Sequence, residues 1–370
     1  MMKKIRVGLI FGGRSAEHEV SLMSARSVLQ AVNKDKYDVT LIGITRSGRW
    51  LAGGDPLAAL EAPAAAQAPG QERAHPAAEP GAVVEVHAAS SASVQHLPDE
   101  MGGLDVVFPL LHGPYGEDGT VQGLLELADL AYVGSGVLGS AVAMDKDVAK
   151  RLLRADGIPV VDWELVRRAE ILADVEAVVA RIEARFTYPL FTKPANLGSS
   201  VGVIKAHDRA ELTLALRESA QYDRRVLVEP GVDAREIEVS VLGNDDPVAS
   251  VAGEIVPSRE FYDYAAKYLD NASGLLIPAP LAPELADAAR AIAVRAFKAL
   301  DCAGLARVDF LLDRASGALY VNEINTIPGF TAISMYPKLW AASGVGYSEL
   351  IDRLIALALE RQAEKNGNAL

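Results

Sequence analysis

The strongest chemical signal in the sequence is a pair of acidic residues in one predicted hairpin, ARVDFLLDRASGALYVNEIN. A turn at residues 315–317 would pair positions symmetric about residue 316, which sets Asp309 opposite Glu323 and Arg307 opposite Asn325 on one face. Directly opposed carboxylates repel each other unless a cation lies between them. Two carboxylates and an amide suit Mg²⁺, which takes oxygen ligands. A surface hairpin with solvated charges is the alternative, although apolar residues occupy the intervening positions.

A second signal combines a lysine with a loop of small residues. Lys193 ends an apolar strand in YPLFTKPANLGSSVGVIK, where an unpaired ammonium group would be costly. The loop at residues 198–202 could cradle a phosphate with its backbone N–H groups, although an ordinary glycine hairpin fits the same pattern equally well. It is not a Walker loop, because no Gly-Lys-Ser/Thr follows it. Lys146, taken alone, is typical of a solvated helix lysine.

Acidic residues and a histidine follow two predicted strands near the N-terminus. FGGRSAEHEVS, which contains Glu17, follows the first strand, and His112, Glu117 and Asp118 follow a later one. The carboxyl ends of parallel strands meet at the edge where open α/β sheets bind ligands. Helix capping is the alternative role for Glu17, because a carboxylate in a first turn complements the helix dipole. A structural role is the alternative for His112.

The first part of the chain predicts an α/β domain that would position these residues. A strand–helix–strand opening over residues 5–45 predicts a small parallel sheet, because such crossovers are right-handed. Residues 52–100 are rich in Ala and Pro, which predicts a partly disordered surface excursion that could include a short hairpin. The pattern then resumes with predicted strands at 106–111 and 131–133 and predicted helices at 121–128 and 139–155.

From about residue 160 the pattern changes to α+β. The predicted strands cover residues 188–193, 201–206, 225–229, 236–242, 247–255, 305–313 and 318–324. The predicted helices cover residues 208–220, 282–300, 334–343 and 347–364. Residues 257–274 lack periodicity and contain three tyrosines after Phe261, which predicts an ordered loop or lid.

The composition limits the partners and the compartment. The net charge is −13, which argues against nucleic acid or an anionic membrane as a partner, because both attract basic surfaces. No apolar run reaches the ~18–20 residues of a membrane span, and the N-terminal segment lacks the apolar length of a signal peptide. The single cysteine, Cys302, excludes an internal disulfide and fits a reducing compartment. We therefore expect a soluble, cytoplasmic protein.

The chain resembles the D-alanine–D-alanine ligase family along nearly its whole length. The resemblance rests on the segments FGGRSAEHEVS, HGPYGEDGTVQG, SGVLGSAVAMDK, KPANLGSSVG, VLVEPGVDAREIEVSVLG, FYDYAAKY, GLARVDF and NEINTIPGFTAIS. It implies an ATP-grasp fold preceded by an N-terminal parallel α/β domain. The implied units are an N-terminal substrate-binding domain (1–138, with 52–100 as a variable insertion), a central ATP-grasp subdomain (139–228) and a C-terminal subdomain with the metal and catalytic site (229–370).

The resemblance also implies a reaction, in which a homodimer uses ATP to join two D-alanine molecules through an acyl phosphate, for peptidoglycan synthesis. It implies nucleotide binding by Lys146, Lys193, Glu229, Glu236, Lys267 and Asn322. It implies two Mg²⁺ (or Mn²⁺) ions on Asp309, Glu323 and Asn325. It implies that the residues which contact or activate the amino-acid substrates are Glu17, His112, Ser199, Tyr268, Arg307, Gly329 and Ser334.

Two other functions fit parts of this pattern. A D-alanine–D-lactate ligase would share the fold and the first half-reaction. Tyr268 argues against it, because a neutral phenol admits the ammonium of a second alanine, whereas a lid histidine would repel it. A catalytically silent nucleotide-binding regulator would lack a phosphate lysine, a metal ligand or the lid tyrosine, and this chain has all of them.

Overall fold

The structure is a computed structural model that describes residues 3–61, 84–86, 103–256 and 274–368. Three sheets organise these residues; the first is mainly parallel and the other two are antiparallel. The expected combination of α/β and α+β regions is confirmed. The predicted lid at 257–274 lies outside the described residues except for its last residue, and so does most of the predicted excursion at 52–100.

The N-terminal sheet contains, within the described ranges, the strands β1 (Ile5–Gly12), β2 (Tyr37–Ile44), β3 (Trp50–Ala52), β4 (Val84–Val86), β5 (Val106–Pro109) and β6 (Ala131–Tyr132). Its helices are α1 (His18–Ala31), α2 (Pro56–Glu61) and α3 (Thr120–Leu127). The strand order is β4-β3-β2-β1-β5-β6, and the predicted parallel pairing of β1 with β2 is confirmed. Because β1 has β2 on one side and β5 on the other, the loops after β1 and β5 meet at one edge.

The predicted helix at 139–155 is wrong in one respect, because two helices occupy this stretch. They are α4 (Val137–Met144) and α5 (Lys146–Ala155), separated by Asp145. Asp145 has an extended backbone, and its carboxylate accepts a hydrogen bond from the Val148 N–H, which is the N-cap arrangement of α5. The break puts Lys146 at the first position of a new helix.

The second sheet consists of β7 (Glu164–Arg167), β8 (Leu190–Pro194), β9 (Ile204–Ala206) and β10 (Arg225–Pro230), in the order β7-β10-β8-β9. Its helices are α6 (Arg168–Glu183) and α7 (Arg209–Tyr222). The strand predicted from residue 201 begins only at Ile204, so the loop after β8 is longer than expected. Neither β7 nor α6 was predicted, although the buried residues of α6 recur at helical spacing: Ile171, Val175, Val178, Val179 and Ile182.

The third sheet consists of β11 (Ala234–Gly243), β12 (Val248–Val256), β13 (Gly274–Leu276), β14 (Gly304–Asp313) and β15 (Leu319–Asn325), in the order β13-β12-β11-β14-β15. Its helices are α8 (Pro283–Ala299), α9 (Met335–Ala342) and α10 (Tyr347–Asn366). Helix α8 packs on one face of this sheet, where Ala293 and Phe297 join a core with Ile237, Val239 and Phe310. Helix α9 covers part of the other face, where Met335 and Leu339 pack against Ile255, and the rest of that face carries polar residues.

The last helix packs against the N-terminal sheet. Leu350, Ile351 and Leu354 of α10 share a buried core with Val7 and Phe108 of the N-terminal sheet. This packing places the C-terminal end of the chain under the parallel sheet. None of the helices in the described ranges is long and apolar enough to cross a membrane.

Candidate active site

The predicted pairing across the β14–β15 hairpin is confirmed. Arg307 lies opposite Asn325, and Asp309 lies opposite Glu323. Because directly opposed residues of an antiparallel pair share a face, these four side chains project on the side of the sheet away from α8.

The turn that was expected to set this pairing is different. Asp313 and Ala318 close a turn over residues 314–317, one residue longer than predicted, in which Gly317 has a φ of +71°. That turn alone would shift every pair by one residue. A bulge at Asn322 inserts one extra residue into β15 and restores the predicted pairs beyond it.

Basic side chains relieve the expected repulsion between the two acids. Arg307 donates hydrogen bonds from its Nε and one Nη to both oxygens of Asp309, each at 2.7 Å. The Lys146 Nζ lies 3.5 Å from Glu323 Oε2. The side chains of Asp309 and Glu323 are partly exposed, so they face a site that a ligand can reach.

The donor set at this face fits Mg²⁺. Two carboxylates oppose each other across the strands. The amide of Asn325 lies two residues beyond Glu323 on the same face, and its Oδ1 accepts a hydrogen bond from the Ile327 N–H. Within the described ranges, no three His, Cys, Asp or Glu side chains are grouped closely enough to hold a metal by themselves. Mg²⁺ needs no such cage, because it is usually bound by one or two carboxylates together with substrate phosphates.

Lys193, Glu229 and Asn322 form a second cluster beside this face. The Lys193 Nζ lies 2.8 Å from Glu229 Oε2 and donates to Asn322 Oδ1 at 3.3 Å. Glu229 also accepts a hydrogen bond from Lys150, a buried lysine that the sequence analysis did not single out. Burial alone would raise the pKa of Glu229, but the ammonium groups of Lys193 and Lys150 outweigh it and lower this pKa to about 2.

Glu236, another predicted nucleotide contact, lies on β11 beside the same sheet face. It is directly opposite Leu311 of β14, two residues along that strand from Asp309. Period-two alternation therefore puts Glu236 on the face that carries Asp309.

The loop between β8 and β9 lies between Lys146 and Glu17, which follows the first strand of the N-terminal sheet. Lys146 donates to the Leu197 carbonyl at 2.6 Å, which ties the loop to α5. Ser199 and Ser200 have φ values of 52° and 59°, a left-handed conformation that turns successive backbone N–H groups toward one side. A Cβ placed on Gly198 would lie 3.8 Å from Glu17 Oε2, so the loop reaches the predicted amino-acid site.

Glu17 is the N-cap residue of α1, but its side chain makes no capping hydrogen bond. Hydrogen-bonded capping by Glu17 is therefore absent, while its position at the start of α1 still complements the helix dipole. The carboxylate is buried and points toward the loop after β5, because a Cβ on Gly113 would lie 3.1 Å from Glu17 Oε2.

His112 and Glu117 are buried in the same place. The His112 Nδ1 lies 2.8 Å from the Ile327 carbonyl oxygen, which can only accept, so Nδ1 carries the proton. Burial lowers the pKa of His112 although Glu17 opposes the shift, and the ring is neutral near neutral pH. Burial, followed by the charge of Glu17, raises the pKa of Glu117 well above its usual range, although its carboxyl accepts a hydrogen bond from Gly113.

The segment after β15 brings Gly329 and Ser334 together. Ser334 is the N-cap residue of α9, and its Oγ accepts a hydrogen bond from the Thr331 N–H at 3.1 Å. A Cβ on Gly329 would lie 3.2 Å from that Oγ. The Ile327 carbonyl accepts the hydrogen bond from His112. The segment from Ile327 to Ser334 therefore brings His112, Gly329 and the start of α9 close together.

Most of the predicted site residues thus lie at the junction of the N-terminal sheet, the loop after β8 and the polar face of the third sheet. Lys267 and Tyr268 lie outside the described residues. Besides Lys150, the sequence analysis missed Glu238, which alternates with Glu236 in DAREIEVSVLG. That alternation was a usable signal for a shared face, but the register of β11 against β14 was not readable from the sequence.

Comparisons with known proteins agree with this arrangement. Residues 6–135 match the family model described as D-ala D-ala ligase N-terminus, and residues 152–356 match D-ala D-ala ligase C-terminus. The chain is 51% identical over 366 residues to a D-alanine–D-alanine ligase of Acetivibrio thermocellus, with 98% of this chain and 97% of that protein covered. It is 52% identical over 370 residues to one of Ruminiclostridium cellulolyticum, with coverages of 97% and 96%.

Two solved structures share the fold. The D-alanine–D-alanine ligase from Coxiella burnetii aligns with a TM-score of 0.81 at 37% identity, covering 98% of this chain and 96% of that one. The VanG D-Ala:D-Ser ligase from Enterococcus faecalis aligns with a TM-score of 0.80 at 35% identity, covering 96% of this chain and all of that one. The two differ in the second substrate that their titles name.

Proposed function

Because the chain belongs to the D-alanine–D-alanine ligase family, we propose that it joins two D-alanine molecules to D-alanyl-D-alanine with ATP, for peptidoglycan synthesis. The observation that carries the proposal is the meeting of two kinds of site. Glu17 supplies a buried carboxylate suited to an ammonium group, between the loop after β5 and the loop after β8. Lys146, Lys193 and the Asp309–Glu323 pair form a face suited to phosphates and Mg²⁺.

The first half-reaction transfers a phosphoryl group. The carboxylate of the first D-alanine attacks the γ-phosphorus of ATP, the bond to the β-phosphate oxygen breaks, and ADP leaves with that electron pair. Lys146 and Lys193, with Lys267, bind the phosphates, and Glu229, Glu236 and Asn322 contact the nucleotide or hold its lysines. Two Mg²⁺ (or Mn²⁺) ions on Asp309, Glu323 and Asn325 would reduce the repulsion between the two anions.

The second half-reaction forms the peptide bond. The neutral amine of the second D-alanine attacks the acyl carbon of the acyl phosphate, and the tetrahedral intermediate expels inorganic phosphate. Arg307 and the backbone N–H of Gly329 stabilise the negative charge on the acyl oxygen. Ser334 binds the carboxylate of the second D-alanine at the start of α9, where the helix dipole favours an anion.

The residues around Glu17 orient the first substrate. Glu17 pairs with its ammonium group. The resemblance to the ligase family implies that Ser199 and Tyr268 are the residues that would hydrogen-bond to Glu17 and close over the site. The neutral ring of His112, held by the Ile327 carbonyl, orients the substrate without adding charge.

Release of ADP tests the proposal against a silent nucleotide-binding regulator. Purified protein with ATP, Mg²⁺ and D-alanine as the sole amino acid is expected to release ADP and dipeptide in equal amounts. Binding of ATP without D-alanine-dependent release of ADP would contradict the proposal. A chelator is expected to stop release, and Mg²⁺ or Mn²⁺ to restore it, if the ions are held as proposed.

The proposal includes the three units 1–138, 139–228 and 229–370, a homodimer and a cytoplasmic location. The resemblance to the ligase family supports the units and the dimer, and the single buried Cys302 agrees with a reducing compartment. Sedimentation equilibrium tests the dimer, and cell fractionation tests the location.

A further inference from the structure

Glu238 is a buried carboxylate at the site that none of the proposed steps uses. On β11 it is directly opposite Asp309 of β14, which is directly opposite Glu323 of β15. The three carboxylates therefore form one row across three strands, on the polar face of the sheet. Only 6% of the surface of Glu238 is exposed, so its charge is stable only if a cation lies close to it.

That cation is Arg307. Its Nε lies 3.0 Å from Glu238 Oε2 in an ion pair, while the Nε–H itself is donated to Asp309 Oδ1 at 2.7 Å. The guanidinium group is thus held between acids on its own strand and on the neighbouring strand. In the next row, Ser240 of β11 is directly opposite Arg307, and its hydroxyl is directed to the Tyr336 carbonyl instead.

We propose that Glu238 is a positioning residue for Arg307. This inference rests on the proposed function, in which Arg307 stabilises the acyl oxygen and Asp309 serves a metal ion. An oxygen that serves a metal ion has less electron density to offer a guanidinium N–H group. Glu238 supplies a second anchor outside the metal set and keeps the flexible arginine aimed before the charge develops, which is when preorganisation counts.

The same sheet contains a matched control on its opposite face. Glu254 of β12 is directly opposite Ile237, a core residue, so it lies on the face away from Glu238. It is also buried, at 7% exposure, and accepts two hydrogen bonds from Arg235, at 2.8 and 2.7 Å. Removing Glu254 breaks a buried ion pair of the same type without touching Arg307.

The experiment compares E238A, E238Q, E254A, R307A and the double variant E238A/R307A. E238A is expected to lower kcat about 10–100-fold, with the KM values for ATP and D-alanine within about threefold of the unaltered protein. E238Q, which keeps an oxygen acceptor, is expected to recover part of this loss.

E254A is expected to lower the melting temperature as much as E238A does, while its kcat stays within about twofold of that of the unaltered protein. In the R307A background, adding E238A is expected to change kcat by less than about twofold.

Several results would overturn the inference. The inference is overturned if the kcat of E238A is within twofold of that of the unaltered protein. It is also overturned if the fold-losses in kcat of E238A and R307A multiply in the double variant. Mn²⁺ binding, measured without turnover, is a further control. If E238A weakened Mn²⁺ binding as much as E323A does, Glu238 would be a metal ligand and not a positioning residue. If R307A itself keeps full kcat, the role proposed for Arg307 fails and the inference fails with it. If R307A loses activity and E238A does not, only the inference fails.

Discussion

Two buried glutamates of this protein lie in opposite electrostatic settings. Glu229 lies between Lys150 and Lys193, and its pKa is lowered to about 2. Glu117 lies near Glu17, and burial together with that second carboxylate raises its pKa well above the usual range. Burial acts in the same direction on both acids, so the sign of the neighbouring charges decides the outcome.

The difference separates the site into two sides with different tasks. On the phosphate side, acids hold lysines in place, and those lysines suit a polyanionic substrate. On the amino-acid side, Glu17 lies near a neutral histidine and a glutamate with a raised pKa, and an ammonium group that enters would pair with the charge of Glu17. We therefore expect substitutions on the phosphate side to affect stability or chemistry strongly, and those on the amino-acid side to affect substrate affinity and pH dependence.

The largest expected effect belongs to Glu323→Ala on the phosphate side. Loss of a proposed metal ligand should lower kcat about 10³-fold or more, while the fold stays intact, because the change removes an acid opposed to Asp309. Steady-state kinetics and a thermal melt check both parts. Arg314→Ala, in the exposed turn of the same hairpin, is the control and should leave kcat unchanged. A large fall in melting temperature for Glu323→Ala without metal present would point to a structural role instead.

The next effect concerns Glu229→Ala, which leaves two lysines facing each other without the acid between them. We expect a loss of about 3–5 kcal/mol in the free energy of unfolding, because breaking a buried ion pair strands a charge. The pKa of Glu229 is lowered on folding, so its stabilisation is present above about pH 4.5 and is lost as the pH falls toward about 2. Urea unfolding at neutral pH and at about pH 3 should show a smaller difference between variant and parent at the lower pH. If the difference in unfolding free energy between variant and parent did not change with pH, the lowered pKa of Glu229 would be contradicted.

A smaller effect is expected for Glu17→Gln on the amino-acid side. If Glu17 binds the ammonium of the first D-alanine, the KM for that substrate should rise about 10–100-fold. The free energy of unfolding should change by less than ~0.5 kcal/mol, because the side chain makes no capping hydrogen bond. Glu19→Gln, an exposed acid in the first turn of the same helix, is the control. A stability loss of about 1 kcal/mol or more with unchanged KM would restore the capping role.

The smallest effect concerns Glu117→Gln, which keeps an oxygen for the Gly113 N–H. The pKa of Glu117 is raised on folding, so the folded state keeps a proton that the unfolded state loses. The resulting stabilisation is present below about pH 4.5 and is lost as the pH rises through the raised pKa. Relative to the parent, the variant should therefore gain stability as the pH rises above about 4.5, and the gain should stop once the pH passes the raised pKa. Unfolding curves across that range test this, and a constant difference would mean that Glu117 is ionised in the folded protein.

The hairpin shows how far sequence reasoning could go. Alternation and a glycine turn predicted the pairs at Arg307 and Asp309, and both pairs are present. The turn was assigned one residue too short and the bulge at Asn322 was not foreseen, and these two errors cancelled. Bulges depend on how a strand fits its neighbours, which a single segment does not reveal.

Tertiary contacts explain what the sequence could not supply. The break between α4 and α5 depends on one capping carboxylate, Asp145, in an otherwise continuous helical pattern. The buried Lys150 looked like any helix lysine until β10 brought Glu229 against it. Glu238 likewise became a site residue only through the register of β11 with β14. The residue types were enough to predict the chemistry of the site. Which side chains contact each other depends on strand order and register.

The most direct test of the central claim is a competition between second substrates. The protein, ATP and Mg²⁺ are supplied with D-alanine together with equal D-lactate and D-serine at about pH 6, 7.5 and 9, and the products are weighed by mass spectrometry. The neutral phenol predicted for Tyr268 admits the ammonium form of an amino acid, so the account predicts a dipeptide and not the ester throughout. The proposed function further predicts that D-alanyl-D-alanine is the main dipeptide. Tyr268→His should raise the share of D-lactate as the pH falls. The account is contradicted if the unaltered protein makes the ester or D-alanyl-D-serine as its main product at any of these pH values.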